Sequence, residues 1–299
     1  MTRRLVWERD GGDWPNREHS RFVSAAGLRW HIQQAGSGPT LLLVHGTAAS
    51  THSWRGLLPR LAEHFNLVAM DLPGHGFSGP TPAYRLSLPG MARALDGLLG
   101  VLDARPAIVV GHSAGAAILA RMCLDKRLAP RALVSLNGAF LPFGGIAAHL
   151  FSPLAKLLSS TGWIPWVISR QAARPGAVER LIRGTGSDLD AEGMARYRRL
   201  VCSPGHVAAT VAMLANWDLR PLRRELAGLA VDLYLLAAER DRAVPPSEAR
   251  RIARKMAGRA RLMVLPGYGH LAHEERPAEV ARQIIEIASL SGVIERRGR

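Results

Sequence analysis

Short runs of apolar residues recur along the chain and alternate with longer segments in which apolar residues have helical spacing. Runs such as Thr40–His45, Asn66–Asp71 and Ala107–Gly111 are typical of strands buried on both faces of a parallel sheet. Leu88–Asp103 instead places leucine and methionine on one face of a helix. The alternation predicts an α/β fold with a mostly parallel, doubly wound sheet. Further predicted strands are Arg21–Ala25, Leu28–Gln34, Arg131–Asn137, Val231–Ala238 and Ala260–Leu265, and further predicted helices are Trp54–Leu61, Ser113–Asp125, Ser247–Met256 and Pro277–Leu290.

The alternation stops between residues 139 and 217, where a helical pattern is broken repeatedly by proline and glycine. We therefore expect residues 1–138 and 218–299 to form the α/β core, and residues 139–217 to form a mostly helical cap inserted into it. The cap begins in an apolar stretch, because Lys156 is the only charged residue between Ala132 and Ser169.

The prolines and glycines of this stretch exclude the uninterrupted run of about 20 apolar residues that a membrane-spanning helix needs. We interpret the segment as a lid that lines an apolar pocket, and a patch that leans on a membrane surface is the alternative. The candidate pocket residues are Phe140, Phe143, Trp163 and Trp166.

One short motif carries the chemistry of a nucleophile. Gly111-His112-Ser113-Ala114-Gly115 matches G-x-S-x-G and lies between a predicted strand and a predicted helix. In that position a serine occupies a sharp, strained turn that exposes its hydroxyl, and close packing there tolerates only small neighbours. We therefore predict Ser113 as a catalytic nucleophile.

A serine nucleophile needs a base, and in this architecture the acid and the histidine follow the serine in chain order. Asp241 comes directly after the predicted strand Val231–Ala238, and His270 comes after the strand Ala260–Leu265. We predict that His270 accepts the proton of Ser113 and that Asp241 orients the imidazole. Glu239 is the rival carboxylate and His273 the rival base.

The negative charge of an acyl-transfer intermediate needs preorganised N–H donors. We expect the backbone N–H groups of Ala114 and Thr47 to supply them, since Thr47 follows the strand that ends at His45. His45 is interpreted as a brace for that loop, with a catalytic role as the alternative. The other loop histidines lack the spacing of metal ligands, so we expect no metal and no cofactor; they are His52, His75 and His112.

The chain carries 39 basic and 24 acidic side chains, which gives a formal net charge of +15, and only three of the basic residues are lysines. An anionic ligand or surface and a compositional bias towards arginine both stay open as explanations. Nucleic acid is not expected as a partner, because the arginines form no recognised binding motif. The two cysteines, Cys123 and Cys202, and the absence of an apolar signal core in Met1–Trp14 indicate a cytoplasmic protein, with peripheral membrane contact as the alternative.

These features together resemble the α/β-hydrolase superfamily, over nearly the whole chain. The resemblance implies an α/β-hydrolase fold with a helical cap and, because the nucleophile is a serine, esterase, lactonase or related branches rather than those that use aspartate. The residues that carry it, in family order, are His45-Gly46, Asp71-Leu72-Pro73-Gly74-His75-Gly76, Gly111-His112-Ser113-Ala114-Gly115, Asp241 and Gly269-His270.

The N-terminal leader, Trp7–Arg17 followed by Ser20–Val23 and Gly27–His31, is similar to that of the magnesium-chelatase accessory hydrolases of bacteriochlorophyll biosynthesis. This resemblance implies a role near magnesium insertion, with chelatase subunits as partners and an apolar substrate, a tetrapyrrole among the candidates. Three hypotheses stay open: an active serine hydrolase of that pathway, a non-catalytic porphyrin-binding module on a hydrolase scaffold, and a generic carboxylesterase or lactonase.

Overall fold

The computed structural model describes residues 4–142, 163–256 and 258–295. Its centre is an eight-stranded sheet in the order β1-β2-β4-β3-β5-β6-β7-β8. The strands are β1 (Ser20–Ala25), β2 (Leu28–Ala35), β3 (Thr40–Val44), β4 (Asn66–Met70), β5 (Ile108–His112), β6 (Ala132–Leu136), β7 (Asp232–Ala238) and β8 (Ala260–Leu265). Strands β1 and β2 are antiparallel to their neighbours, and β3 to β8 run parallel to one another.

Helices cover both faces of this sheet. The described α-helices are α1 (Trp7–Asp10), α2 (Leu57–Leu61), α3 (Leu88–Val101), α4 (Ala114–Leu124), α5 (Trp163–Ala172), α6 (Ala177–Gly184), α7 (Ala191–Val201), α8 (Pro204–Ala215), α9 (Arg220–Glu225), α10 (Pro246–Lys255), α11 (Ala272–Glu275) and α12 (Pro277–Leu290). Short 3₁₀ turns are formed by Arg17–His19, Thr51–Trp54, Ala83–Leu86 and Leu226–Gly228.

Alternate residues of each central strand enter two separate cores. In β3, Leu42 and Val44 pack with the apolar faces of α3 and α4, whereas Leu41 and Leu43 pack with α2 and α12. This follows from the strand period of two, and it explains why the central strands are buried at nearly every position and mostly apolar. The α/β class and the mostly parallel, doubly wound sheet predicted from the sequence are therefore confirmed.

The predicted helix Trp54–Leu61 is wrong in its first half. The structure has a 3₁₀ turn that ends at Trp54 and an α-helix that starts only at Leu57. Between them Gly56 lies against Pro277, where an added Cβ would come within 2.7 Å of the proline ring. This contact lies between the 3₁₀ turn and the first residue of α2.

The N-terminal leader lies between the core and the helices that follow β6. Trp14 is 2% exposed and donates its indole N–H to Thr51 Oγ1 at 3.1 Å. Asp13 accepts from Arg196 and Arg199 on α7, at 2.7 and 2.6 Å. The leader therefore ties α7 to the core through one buried aromatic ring and one exposed carboxylate.

Between β6 and β7, the described residues form helices α5 to α9. We refer to α5–α8, residues 163–215, as the insertion helices. In the part of the chain that the structure describes, no helix is long and apolar enough to cross a membrane.

Candidate active site

Four consecutive strands of the sheet end next to a polar residue at the same edge. Ser113 follows β5, Asn137 follows β6, Asp241 follows β7 and His270 follows β8. Because the carboxyl ends of parallel strands share one edge, the fold gathers residues that are far apart in sequence. This edge is the candidate active site.

Ser113 occupies a strained turn. Its φ and ψ angles are 51° and −116°, a conformation that costs a non-glycine residue about 1–3 kcal/mol. Two hydrogen bonds hold the turn: the Ser113 N–H donates to Leu136 O at 3.0 Å, and its carbonyl accepts from Ala139 N–H at 3.1 Å. The strain is therefore maintained by β6 and the residues that follow it.

Helix α4 begins directly after Ser113 and packs very closely on β3. A Cβ added to Gly115 would clash with the carbonyl oxygen of Val44. Only glycine fits at this crossing, which is the physical reason for the last glycine of the motif. The helix also directs its N-terminal N–H groups towards the space above the serine.

His270 and Asp241 form a buried pair. The His270 Nδ1–H donates to Asp241 Oδ2 at 2.7 Å, and the two residues are 7% and 5% exposed. The other carboxylate oxygen, Oδ1, accepts the N–H groups of Ala243 and Val244, each at 2.8 Å. Since Nδ1 carries the proton in this arrangement, the neutral imidazole has its lone pair on Nε2.

The backbone of His270 is held by two residues that the sequence did not single out for this task. Asn137 donates its amide to His270 O at 2.8 Å and accepts the Ala238 N–H at 2.7 Å. His112 donates Nε2–H to the same His270 carbonyl at 3.0 Å. Burial holds the pKa of His112 well below its usual range, so this ring is neutral. The only sequence signal for Asn137 was its place after a buried strand.

The loop after β3 passes close to Ser113. A Cβ added to Gly46 would lie 3.0 Å from Ser113 Cβ and 2.9 Å from His112 Nδ1, so only a glycine backbone can approach this closely. Thr47 follows Gly46, and its hydroxyl donates to the sulfur of Met213 at 3.7 Å. Ala114 is the first residue of α4, where backbone N–H groups have no partner within the helix.

His45 uses both ring nitrogens as a brace. Its Nε2 accepts the Leu72 N–H at 2.9 Å, and its Nδ1–H donates to Gly46 O at 2.7 Å. Burial lowers the pKa of His45, which keeps the ring neutral and suited to one bond of each kind. The arrangement fits the structural interpretation of this residue rather than the catalytic one.

Neither rival residue takes part in the pair of His270 and Asp241. The Glu239 carboxylate is exposed and accepts the Gly267 N–H at 2.9 Å, so it does not orient His270. His273 is 1% exposed, and burial lowers its pKa to about 3.

Asp71 bonds His31 at 2.8 Å deep in the core, where it also accepts the Thr51 N–H. Although burial opposes ionisation, His31 and the backbone donors hold the Asp71 pKa below its usual range.

A third buried carboxylate, Glu274, connects the core to an insertion helix. Glu274 accepts hydrogen bonds from Ser53 at 3.0 Å, Tyr197 at 2.8 Å and Arg55 at 3.1 Å. Burial raises the Glu274 pKa to about 7, although these donors act in the opposite direction. Nothing in the sequence indicated this network, because Tyr197 on α7 is far from Glu274 in the chain.

The four candidate pocket residues have different environments. Phe140 is fully buried in the core cluster that contains α3 and α4, and Phe143 lies outside the described residues. Trp163 and Trp166 on α5 are 61% and 50% exposed. Their assignment to a substrate pocket stays a prediction. Across residues 4–142, 163–256 and 258–295, no group of three or more histidine, cysteine or acidic side chains could hold a metal ion.

Comparison with known proteins gives concordant matches. The model of the alpha/beta hydrolase family matches residues 41–283. The magnesium-chelatase 30 kDa subunit of Rhodobacter capsulatus is 37% identical over 264 residues, which cover 88% of this chain and 92% of that protein. A pimeloyl-[acyl-carrier protein] methyl ester esterase of Xanthomonas campestris is 29% identical over 275 residues, or 85% of this chain and 98% of the esterase.

Solved structures show the same fold. The epoxide hydrolase CorEH superposes with a TM-score of 0.75 at 23% identity, over 91% of this chain and 98% of its own. An esterase from Thermogutta terrifontis superposes with a TM-score of 0.71 at 22% identity, over 91% and 98%. At these identities the likeness concerns the fold alone.

Proposed function

This chain belongs to the α/β-hydrolase family and is a relative of the Rhodobacter capsulatus magnesium-chelatase 30 kDa subunit, and on that premise we propose that it is a serine hydrolase. The observation that carries the proposal is the pairing of His270 with Asp241 at the edge of the sheet where the strained Ser113 follows β5. Its place at this edge distinguishes the pair from that of His31 with Asp71, which is also buried and whose carboxylate also accepts two backbone N–H groups.

In the proposed mechanism, Ser113 Oγ attacks an acyl carbon while His270 Nε2 accepts the hydroxyl proton. Asp241 fixes the tautomer and stabilises the imidazolium that forms. The N–H groups of Thr47 and Ala114 bind the oxyanion of the tetrahedral intermediate. His270 then protonates the leaving group, and a water molecule attacks the acyl-enzyme by the same route.

A fluorophosphonate probe tests the nucleophile directly. The wild-type protein should be labelled once, at Ser113, and Ser113→Ala should not be labelled. Ser24→Ala is the matched control, because Ser24 is exposed on β1 and has no place in the proposed site. A correctly folded wild-type protein that resists labelling would count against the hydrolase function.

We also propose that the hydrolase acts as an accessory in bacteriochlorophyll biosynthesis, near the step of magnesium insertion, with magnesium-chelatase subunits as partners. Support comes from the 37% identity to a protein that bears the chelatase name. A tetrapyrrole is an apolar disc with anionic carboxylates, so an excess of arginine around an apolar cap suits it. We take the insertion as that cap, and an apolar tetrapyrrole ester or activated intermediate as the substrate.

Replacement of Ser113 by alanine in a pigment-forming host separates this proposal from a purely binding role. An active hydrolase should lose pigment synthesis on Ser113→Ala, whereas a non-catalytic porphyrin-binding module should retain it. A generic carboxylesterase or lactonase is the other alternative, and the 29% identity to an esterase of Xanthomonas campestris supports it. A gene position among pigment-synthesis genes would argue against that alternative.

For location, we propose a cytoplasmic protein that touches the membrane surface through α5. Trp163 and Trp166 are exposed there, and the Arg170 guanidinium lies 5.4 Å from the Trp166 ring. Tryptophan and arginine on one exposed helix suit an interface with anionic lipid. Co-sedimentation with phosphatidylglycerol vesicles should fall when both tryptophans are replaced by serine, and equal sedimentation would contradict the contact.

A further inference from the structure

Helix α8 of the insertion touches two core loops with one face. His206, Ala209 and Met213 are spaced three and four residues apart, so they lie on the same side of the helix. This face meets the loop after β3, which contains Thr47, and the loop after β4. A Cβ added to Gly74 in the second loop would lie 2.6 Å from Ala209 Cβ, which shows how closely the helix approaches.

His206 bonds to both loops at once. Its Nδ1 accepts the Gly76 N–H at 3.1 Å, and its Nε2–H donates to Ala48 O at 3.2 Å. The backbone donor at Gly76 fixes which nitrogen carries the proton. Burial lowers the His206 pKa to about 4, so the neutral ring needed for this pair of bonds is present at neutral pH.

Ala48, whose carbonyl accepts the His206 N–H, lies in an unfavourable backbone conformation. Ala48 has a φ angle of +63°, which a residue with a Cβ rarely adopts. It belongs to a tight turn closed by the Ala49 N–H and Gly46 O at 3.3 Å. Such a turn persists where its surroundings hold it, and His206 is the side chain that bonds its strained residue.

The N-terminal leader strengthens the same junction. The Arg4 guanidinium donates to Gly205 O at 3.3 Å, and also to Gly74 O at 2.8 Å and Ser78 O at 3.0 Å. The peptide directly before His206 is therefore fixed to the loop after β4 by a third segment. The first turn of α8 is therefore bonded to the core loops through both His206 and Arg4.

We propose that helix α8 sets the geometry of the oxyanion hole, with His206 as a positioning residue that holds Ala48 and thereby aims the Thr47 N–H. The inference rests on the proposed hydrolase function. Met213 adds a second contact, because it accepts the hydroxyl of Thr47 itself. Any ligand or partner that displaces α8 would then change catalysis without touching Ser113, His270 or Asp241.

The experiment compares His206→Phe, His206→Gln and the control Asn216→Ala. Phenylalanine fills the space and removes both bonds, whereas glutamine can retain one of them. The Asn216 side chain donates to the Ala212 carbonyl at the far end of α8, so its removal should leave the loop unchanged. The measurements are amide hydrogen exchange of the peptide that contains Thr47–Ala49, the rate of fluorophosphonate labelling, and kcat and KM with a p-nitrophenyl ester.

We expect His206→Phe to raise exchange in this peptide about tenfold and to lower kcat and the labelling rate by about 10- to 100-fold, with KM changed by less than about threefold. His206→Gln should lie between the wild type and His206→Phe, and it replaces that variant if the latter does not fold. Unchanged exchange and labelling in a folded variant would overturn the proposal. A wild-type protein without labelling, but with faster loop exchange in the variants, would instead refute the hydrolase function and leave the loop contact standing.

Discussion

Replacement of Asp241 by asparagine separates the orientation of His270 from the stability of the fold. In the wild type, Oδ1 accepts two backbone N–H groups and Oδ2 accepts His270 Nδ1–H. Asparagine can retain the Oδ1 bonds, but its amide then presents N–H to His270 Nδ1. The flipped amide would oppose the N–H groups of Ala243 and Val244, and the buried one at Val244 would be left unpaired at a cost of about 1–3 kcal/mol. The loop therefore selects the orientation that is wrong for catalysis.

In that orientation His270 must accept at Nδ1, so its proton moves to Nε2, and it can no longer take the proton of Ser113. The same change of tautomer in serine proteases lowers kcat by about 10⁴-fold, which corresponds to about 5 kcal/mol of barrier height. We expect a loss of that order here. The free energy of unfolding should change by less than about 1 kcal/mol, since one neutral hydrogen bond replaces an ionic one.

The assay is kcat/KM with a p-nitrophenyl ester together with the fluorophosphonate labelling rate, and urea unfolding reports the fold. Glu239→Gln is the matched control, because Glu239 is the neighbouring carboxylate and bonds only the exposed Gly267 N–H. Its activity should stay within about threefold of the wild type. An activity loss below tenfold in a folded Asp241→Asn protein would refute the assignment, and a collapse in Glu239→Gln instead would transfer the role to that residue.

Packing and burial set the expected outcomes of three other perturbations. Gly115→Ala places a methyl group against the β3 backbone and should lower the free energy of unfolding by about 3 kcal/mol. Gly100→Ala is the control, because Gly100 has open space around it, and it should change the free energy of unfolding by less than about 1 kcal/mol. Equal effects of the two substitutions in urea unfolding would contradict the close approach of α4 to β3. Because burial raises the Glu274 pKa to about 7, the folded state retains a proton that the unfolded state releases, so the free energy of unfolding should fall by about 1–3 kcal/mol between pH 5 and about 7.5. Glu274→Gln should lack this slope, and parallel slopes in both proteins would refute the account. Trp14→Ala should lower the free energy of unfolding by about 3–5 kcal/mol, because it removes a buried ring, and Asp13→Asn should lower it by less than about 1 kcal/mol, because Asp13 is exposed. Thermal unfolding that gives the reverse order would contradict the anchoring of the leader.

The strands of the sheet could be predicted from the sequence because the pattern that identifies each strand is local. A strand such as β3 has an uninterrupted apolar run, Leu41–Val44, and helices such as α3 have their own periodicity, so each element is visible without its neighbours. The boundaries shifted by one residue where turn chemistry decides them: β5 extends to His112, one residue beyond the predicted end. The close approach of Gly56 to Pro277 could not be predicted from the local pattern, because the two residues are far apart in the chain.

The candidate site divides in the same way. Ser113, Asp241 and His270 were predicted because each follows a recognisable strand, and the family order supplied the rest. Asn137 and His112 also follow from strand ends, but their task is to bond one carbonyl, at His270. A residue that holds a backbone atom leaves no motif, since many polar side chains at that position would look alike in sequence.

The contacts between the insertion helices and the core loops could not be predicted from the sequence, and the reason is physical. Tyr197 reaches Glu274, and His206 reaches Ala48, across 77 and 158 residues of chain. Helical periodicity identifies the buried face of α7 or α8, but it does not say which loop that face covers. A histidine or tyrosine on such a face has the same sequence signature whether it stabilises the helix alone or fixes a catalytic loop. The distinction depends on a strained acceptor, here Ala48 with its positive φ angle, and strain exists only in the folded chain. Specificity and control in this protein are therefore to be sought in bonds between the insertion and the core loops, rather than in the residues that form the proposed triad.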